Sequence, residues 1–225
     1  MGGLRGPRHA TSIHPRKVAA GARGLLIASL DGMRWVLVLA ALLVPAVVNA
    51  GVGAGRAAYV GAGVDLSVDG ATNPLTNDLW FGGAHVEAGV RVGSRVWLGG
   101  RVGLGRIDGD ETSGHYYEAV IGPDLRLCGT SGRHCLRVGV ETGVAVSDYR
   151  FKEWATTTTG IIVQPRLTYD LAITERLGLD LSLGLRTKWI VSTDPDVDPL
   201  TGDRFDREDN PQIGPALGVA VLWRF

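Results

Sequence analysis

The chain has no net charge: its 23 Lys and Arg balance 23 Asp and Glu, which excludes both a basic nucleic-acid binder and an acidic disordered tail. It has few aromatic residues, 7% of the total, although six of them are Trp, as suits a protein that holds amphipathic rings at a boundary. After residue 50 it lacks the helical periodicity of a soluble α/β domain. It also lacks an apolar run long enough to cross a bilayer as a helix, because Trp35 to Val44 gives only about ten residues where roughly twenty are needed. A length of 225 residues bounds the answer at one domain or a small pair. What it has in excess is glycine, 33 residues, about twice the average share.

The short apolar run has a grammar of its own. Met33 and Arg34 precede it, and Pro45 and the small-residue pattern Val48-Asn49-Ala50 follow, which reads as a secretory signal peptide spanning 33–50 and cut after Ala50. Residues 1–32, with Arg5, Arg8, Arg16, Lys17 and Arg23 and no apolar periodicity, read as an overlong leading region or a start codon placed too early. A transmembrane anchor with a cytoplasmic tail is the competing reading, and the shortness of the run argues against it.

The remainder, 51–225, alternates. Ile213, Pro215, Leu217, Val219, Val221, Trp223 and Phe225 occupy one phase of the last stretch, and Gly214, Ala216, Gly218, Ala220, Leu222 and Arg224 the other. In a strand, successive side chains point to opposite faces, so this places the large apolar groups, Leu222 excepted, on one side. The same period recurs near 56–66, 80–92, 95–107, 116–127, 136–149 and 161–173, and most clearly in Leu177, Leu179, Leu181, Leu183 and Leu185. That makes eight strands. Long connections are expected after the first, third, fifth and seventh (67–79, 108–115, 152–160 and 192–211) and short ones after the rest, as in an up-and-down barrel with short periplasmic turns. Apolar-phase aromatics fall near both ends: Trp80, Tyr117 and Trp189 beside the long connections, Tyr169, Trp223 and Phe225 toward the short ones. Pro123, Pro165 and Pro215 lie inside these stretches, and the donor each removes predicts bulges or strand ends there.

The final stretch resembles the closing strand of bacterial outer-membrane barrels, whose assembly machinery reads a terminal aromatic and the apolar ladder behind it, here Val221, Trp223 and Phe225. With eight strands before it, the chain from Arg56 to Phe225 is similar to the small eight-stranded outer-membrane barrels of the OmpA/OmpX type. The resemblance implies an all-β transmembrane barrel in the bacterial outer membrane, monomeric, in contact with lipid, lipopolysaccharide and the barrel-assembly machinery. A soluble barrel would turn its apolar face inward and leave a glycine-rich exterior, and the signal peptide and terminal Phe weigh against that.

If the polar phase faces the lumen, the interior holds Asp65, Glu87, Glu118, Asp124, Glu141, Asp170 and Asp180 together with Arg91, Arg101, Arg126, Arg137, Arg166, Arg186, Lys188 and Arg224. Eight strands enclose a space that side chains just fill. An unpaired charge there costs several kcal/mol, so these groups are expected to pair as an ion network rather than serve as a general acid and base. His85, beside Glu87 by alternation, is read as a lumen hydrogen bonder. His115 is placed in a loop and His134 in a turn, and no Ser/His/acid constellation is evident, so a lipid-modifying enzyme is disfavoured.

Asp194, Asp196 and Asp198 have the spacing of a calcium loop, yet Pro199 stands where such a loop needs Gly and Phe205 where it needs a bidentate Glu. A solvated acidic loop is the better reading, and no metal or cofactor is expected. Cys128 and Cys135 bracket the turn Gly129 to His134 and, in an exported protein, are expected to form a disulfide. The functional expectation is a filled, structural outer-membrane protein or a surface-interaction (adhesion) module whose loop 192–211 meets a surface ligand. A narrow channel or small-solute porin is the alternative.

Overall fold

In the computed structural model, the described residues are 57–69, 79–109, 112–151, 154–194 and 211–225. The segment read as a signal peptide, the expected start of the mature chain and most of the acidic loop, including Asp196 and Asp198, lie outside them. Eight strands, β1(Ala58–Asp69), β2(Leu79–Arg91), β3(Val96–Asp108), β4(Thr112–Cys128), β5(His134–Phe151), β6(Trp154–Ala172), β7(Leu177–Asp194) and β8(Gln212–Arg224), form one antiparallel sheet. Each pairs with its neighbour in sequence, and β8 returns to pair with β1, so the sheet closes as a barrel without edges. Closure satisfies every strand from both sides, the condition for β-structure in a bilayer.

The alternation sorts onto the two faces as physics requires of a membrane solvent. Val64, Val86, Ile121, Val140, Val144, Leu183, Leu185, Leu217 and Val221 are exposed on the outside, whereas Glu87, Arg101, Glu118, Arg137 and Asp180 are buried inside. Trp80, Trp189, Tyr169, Trp223 and Phe225 are exposed on the outer face toward its two ends, and Tyr117 lies on that face among its neighbours. Water would not tolerate so continuous an apolar belt, and hydrocarbon does.

Two expectations about the strands are corrected. The connections 108–115 and 152–160 are not long loops: β4 begins at Thr112 and β6 at Trp154, so the polar residues 112–115 and 154–160 are strand. Their polarity marks wall that stands above the apolar belt, since β4 to β7 run 17, 18, 19 and 18 residues where roughly 9 to 11 span a membrane. The prolines, secondly, do not produce bulges. Pro123 pairs opposite Leu98, Pro165 opposite Val140 and Pro215 opposite Leu185. The missing donors show instead as gaps in one ladder, between Ile121 and Asp124 on the β5 side and between Val163 and Arg166 on the β7 side, with no change of register. Pro215 lies one residue past the last β8 partner of β1, Ala216. The register shift that does occur, at Thr159/Gly160 against β7, involves no proline.

At the short-turn end, Cys128 and Cys135 face each other across β4 and β5 and form a disulfide. The turn they close carries Gly132 at φ 67, a left-handed conformation that a residue with a Cβ adopts reluctantly. In the turn between β6 and β7, Thr174 Oγ1 accepts from the backbone N–H of Leu177 at 2.9 Å.

Candidate functional site: the lumen and its two mouths

The inward phase of eight strands converges on a space too narrow for water-solvated charges, so each long side chain must find partners across it. Arg101 of β3 is the hub. Its Nη1 lies 2.7 Å from Asp65 Oδ2 on β1, its Nε donates to Glu141 Oε2 on β5 at 3.1 Å, and its Nη2 donates to Gln164 Oε1 on β6 at 2.9 Å and approaches Glu118 Oε1 on β4 at 3.3 Å. One guanidinium thereby ties β3 to four other strands, which its planar fork of donors suits and a point-charge ammonium would not. Glu141 turns its other oxygen to Arg166 at 3.2 Å, Arg166 reaches Glu87 at 3.5 Å, and Arg186 reaches Glu118 at 3.1 Å. His85 Nδ1 lies 2.7 Å from Asp65 Oδ2, so the carboxylate it approaches is that of Asp65.

A second group sits nearer the short turns. Arg137 is paired with Asp180 and with Asp124, the latter at 3.4 Å, and donates to Tyr59 Oη at 2.9 Å. Asp170 is shared by Arg126, at 2.6 Å, and Arg224. Two predicted members depart from the expected pairing. Arg91 is exposed at the barrel mouth with no ion-pair partner among the described residues. Lys188, fully buried, donates to two hydroxyls, Ser147 Oγ at 2.8 Å and Thr158 Oγ1 at 3.2 Å, in place of a carboxylate.

The alternation rule placed glycines and ions inside, and so passed over apolar residues that share the inward phase. Leu79, Phe81, Ile107, Tyr116 and Tyr149 form a buried cluster at the long-loop end of the lumen. Arg186 lies over the Phe81 and Tyr116 rings at 5.1 and 5.4 Å, and Lys188 over Tyr149 at 5.7 Å, so the cations beneath this layer face aromatic π-clouds. At the other end Tyr59, Trp97, Ala220 and Leu222 pack together. The Tyr59 ring lies against Gly89, where a Cβ would stand 2.6 Å from Tyr59 Cζ. Between the layers, Val120, Ala145 and Ile162 fill the wall of the lumen. The signal for these layers was present in the sequence as inward-phase aromatics, Tyr59, Phe81, Trp97 and Tyr149, on every strand from β1 to β5 once Tyr116 is included.

On the outer face the register aligns Arg106, His115, Asp148 and Thr157 on β3 to β6 in one row. Thr157 Oγ1 donates to Asp148 Oδ1 at 2.8 Å. This row lies one step beyond Leu104, Tyr117 and Val146, where the apolar belt stops. His115 is therefore a strand residue, as is His134, whose Nδ1 lies 2.6 Å from Tyr169 Oη. Ser113 shares the outer face with His115, yet no hydrogen bond joins Ser113, His115 and Asp148, and no nucleophile–base pair results. Among the described residues no cluster of three or more His, Cys, Asp or Glu is placed to hold a metal ion.

No protein-family model matches the chain, and no curated protein matches it in sequence. Among solved structures, the crystal structure of Neisserial surface protein A (NspA) covers 75% of this chain and 99% of its own, with a TM-score of 0.55 and 14% identity. The fold is that of the small outer-membrane barrels. Ail, the attachment invasion locus protein of Yersinia pestis, covers 76% of this chain and 99% of its own at a TM-score of 0.48 and 10% identity. The N-terminal barrel domain of Pseudomonas aeruginosa OprF covers 74% and 97%, at 0.41 and 15%. In this outer-membrane barrel, the short-turn end is called the periplasmic mouth below.

Proposed function

We propose that the protein is a non-conducting outer-membrane barrel, monomeric and made mature at Gly51, whose work is done by its extracellular surface as a structural envelope or adhesion element. The observation that carries this reading is the filled lumen: the Arg101 hub bridges five strands between an apolar layer at each end. Ions would have to cross two apolar layers and displace charges already paired with one another, which weighs against conduction. The surface available for work is the β4 to β7 wall above the membrane together with the acidic segment after Asp194, which carries Asp196, Asp198, Asp203, Asp206, Glu208 and Asp209. An acidic segment suits a basic partner, or lipopolysaccharide phosphates bridged by divalent cations. The ladder ending in Val221, Trp223 and Phe225, all or partly exposed on the outer face, is the surface offered to the barrel-assembly machinery.

Single-channel recording of purified protein in planar bilayers tests the reading: it expects silence, and steady, well-defined conductance would overturn it. Deleting Pro195 to Asp209 and measuring envelope integrity and surface binding then separates a structural role from a loop-mediated one.

A further inference from the structure

The periplasmic mouth is not closed flush. Below the Tyr59–Trp97 layer lies a cavity of about 260 Å³ whose wall includes Arg91, Arg126, Arg137 and Arg224, against the side-chain carboxylates of Asp170 and Glu175 and the main-chain carboxylate of Phe225. These guanidiniums come from four strands, β2, β4, β5 and β8, and the barrel register brings them to one ring. Their internal partners do not use up the charge. Arg137 is committed inward to Asp124, Asp180 and Tyr59. Arg126 and Arg224 divide a single carboxylate, Asp170, which is 2% exposed. Arg91 has no described ion-pair partner, and Arg126 Nε is buried with no acceptor. Glu175 is exposed on the β6–β7 turn and engages none of them. One wall is aromatic: Arg126 stacks over Trp97 at 5.2 Å, which holds the guanidinium edge open to the cavity.

We propose that this mouth is a binding site, facing the periplasm, for an oxyanion: a carboxylate or phosphate on a small ligand or at the end of a larger one. Planar guanidinium forks converging from several directions match the oxygens of such groups, and a half-desolvated setting strengthens each contact over its value in water. The volume lies below that of drug-sized pockets, so the cavity takes a terminal group and not a whole polymer. The site opens on the side opposite the extracellular surface and does not depend on whether the lumen conducts.

The experiment is isothermal titration of the full-length folded barrel in detergent at low ionic strength, with inorganic phosphate in one series and an N-acetylated amino acid in the other. Folding of every variant is checked by the gel mobility shift between unheated and boiled samples. Saturable one-to-one binding is expected with at least one titrant, and which one binds distinguishes a phosphate from a carboxylate source. Arg91→Gln and Arg126→Gln, the latter leaving Asp170 paired with Arg224, should each weaken binding about tenfold or more. Glu175→Gln, which removes a competing negative charge without touching the barrel wall, should tighten it several-fold. Arg106→Gln, on the outer face at the opposite end, should leave it unchanged. Absence of saturable binding by either titrant, or equal loss in Arg106→Gln, overturns the proposal, as does binding indifferent to both Arg91→Gln and Arg126→Gln.

Discussion

Lys188 Nζ donates to Ser147 Oγ at 2.8 Å inside a lumen otherwise organised by carboxylate–guanidinium pairs. Among the described residues the polar groups that hold this buried ammonium are hydroxyls, the other being Thr158 Oγ1, and the Tyr149 ring lies beside it. Arg101, equally enclosed, sits among Asp65, Glu118 and Glu141. The two cations are therefore held by different physics, and their removal should separate.

Arg101→Met leaves three carboxylates without their shared partner and should cost about 3 to 5 kcal/mol. Lys188→Met strands two hydroxyls and removes a charge that has no acidic partner among the described residues, so its cost should stay below about 2 kcal/mol. Urea unfolding in lipid vesicles measures both. Equal destabilisation would show that Lys188 is balanced by a charge not identified above.

The two faces make a second pair of tests. Leu181 and Val219 are directly opposed on β7 and β8, 46% and 43% exposed outward. Arg at either position should cost roughly 2 to 4 kcal/mol near mid-membrane. Arg at Ala216 or Ser182, on the inward phase, should act through crowding and upset charge balance. Cysteines at these four positions, treated with a water-soluble maleimide, check the assignment independently. Ready labelling at 181 and 219 with protection at 182 and 216 would reverse inside and outside.

Reducing the Cys128–Cys135 bridge should lower stability by about 2 to 3 kcal/mol in the chain-entropy model, because the loop it closes is short. Unreduced, unfolded protein should take up no thiol reagent, and full labelling would mean that the bridge does not form in the cell envelope.

Gly89 gives a fourth prediction. A methyl there meets the Tyr59 ring, which cannot retreat without disturbing Trp97 and the bond from Arg137. Gly89→Ala should therefore destabilise by about 1 to 3 kcal/mol, the usual range for overpacking. An outward glycine of the same strand, Gly82, meets nothing closer than 3.9 Å, at the end of Leu66, and its change to Ala should be nearly silent in the same unfolding assay. Similar losses at both positions would mean that the cost at Gly89 is not contact with Tyr59.

Mature protein recovered from the outer-membrane fraction should begin at Gly51 on amino-terminal sequencing. Recovery of residues 1–32 on that chain would refute the signal-peptide reading.

Alternation along single strands was enough to read the eight strands and their faces, because a period of two is local and each residue carries its own transfer preference, while the barrel was read from connection lengths and the resemblance of the last strand, and the cysteine pair from the short turn between Cys128 and Cys135. Leu177 to Leu185 and the ladder from Ile213 to Phe225 needed nothing else. The same local rule misread 112–115 and 154–160 as loops. Strand above a membrane loses the apolar phase while keeping its ladder bonds, and only pairing with Ser147 to Phe151 and with Ser192 to Asp194 shows that these stretches are wall. Which charges meet was equally beyond any one strand. Asp65, Glu118, Glu141 and Gln164 reach Arg101 from four strands because barrel closure and register set their heights, a matter of relative strand position that no stretch of sequence carries by itself.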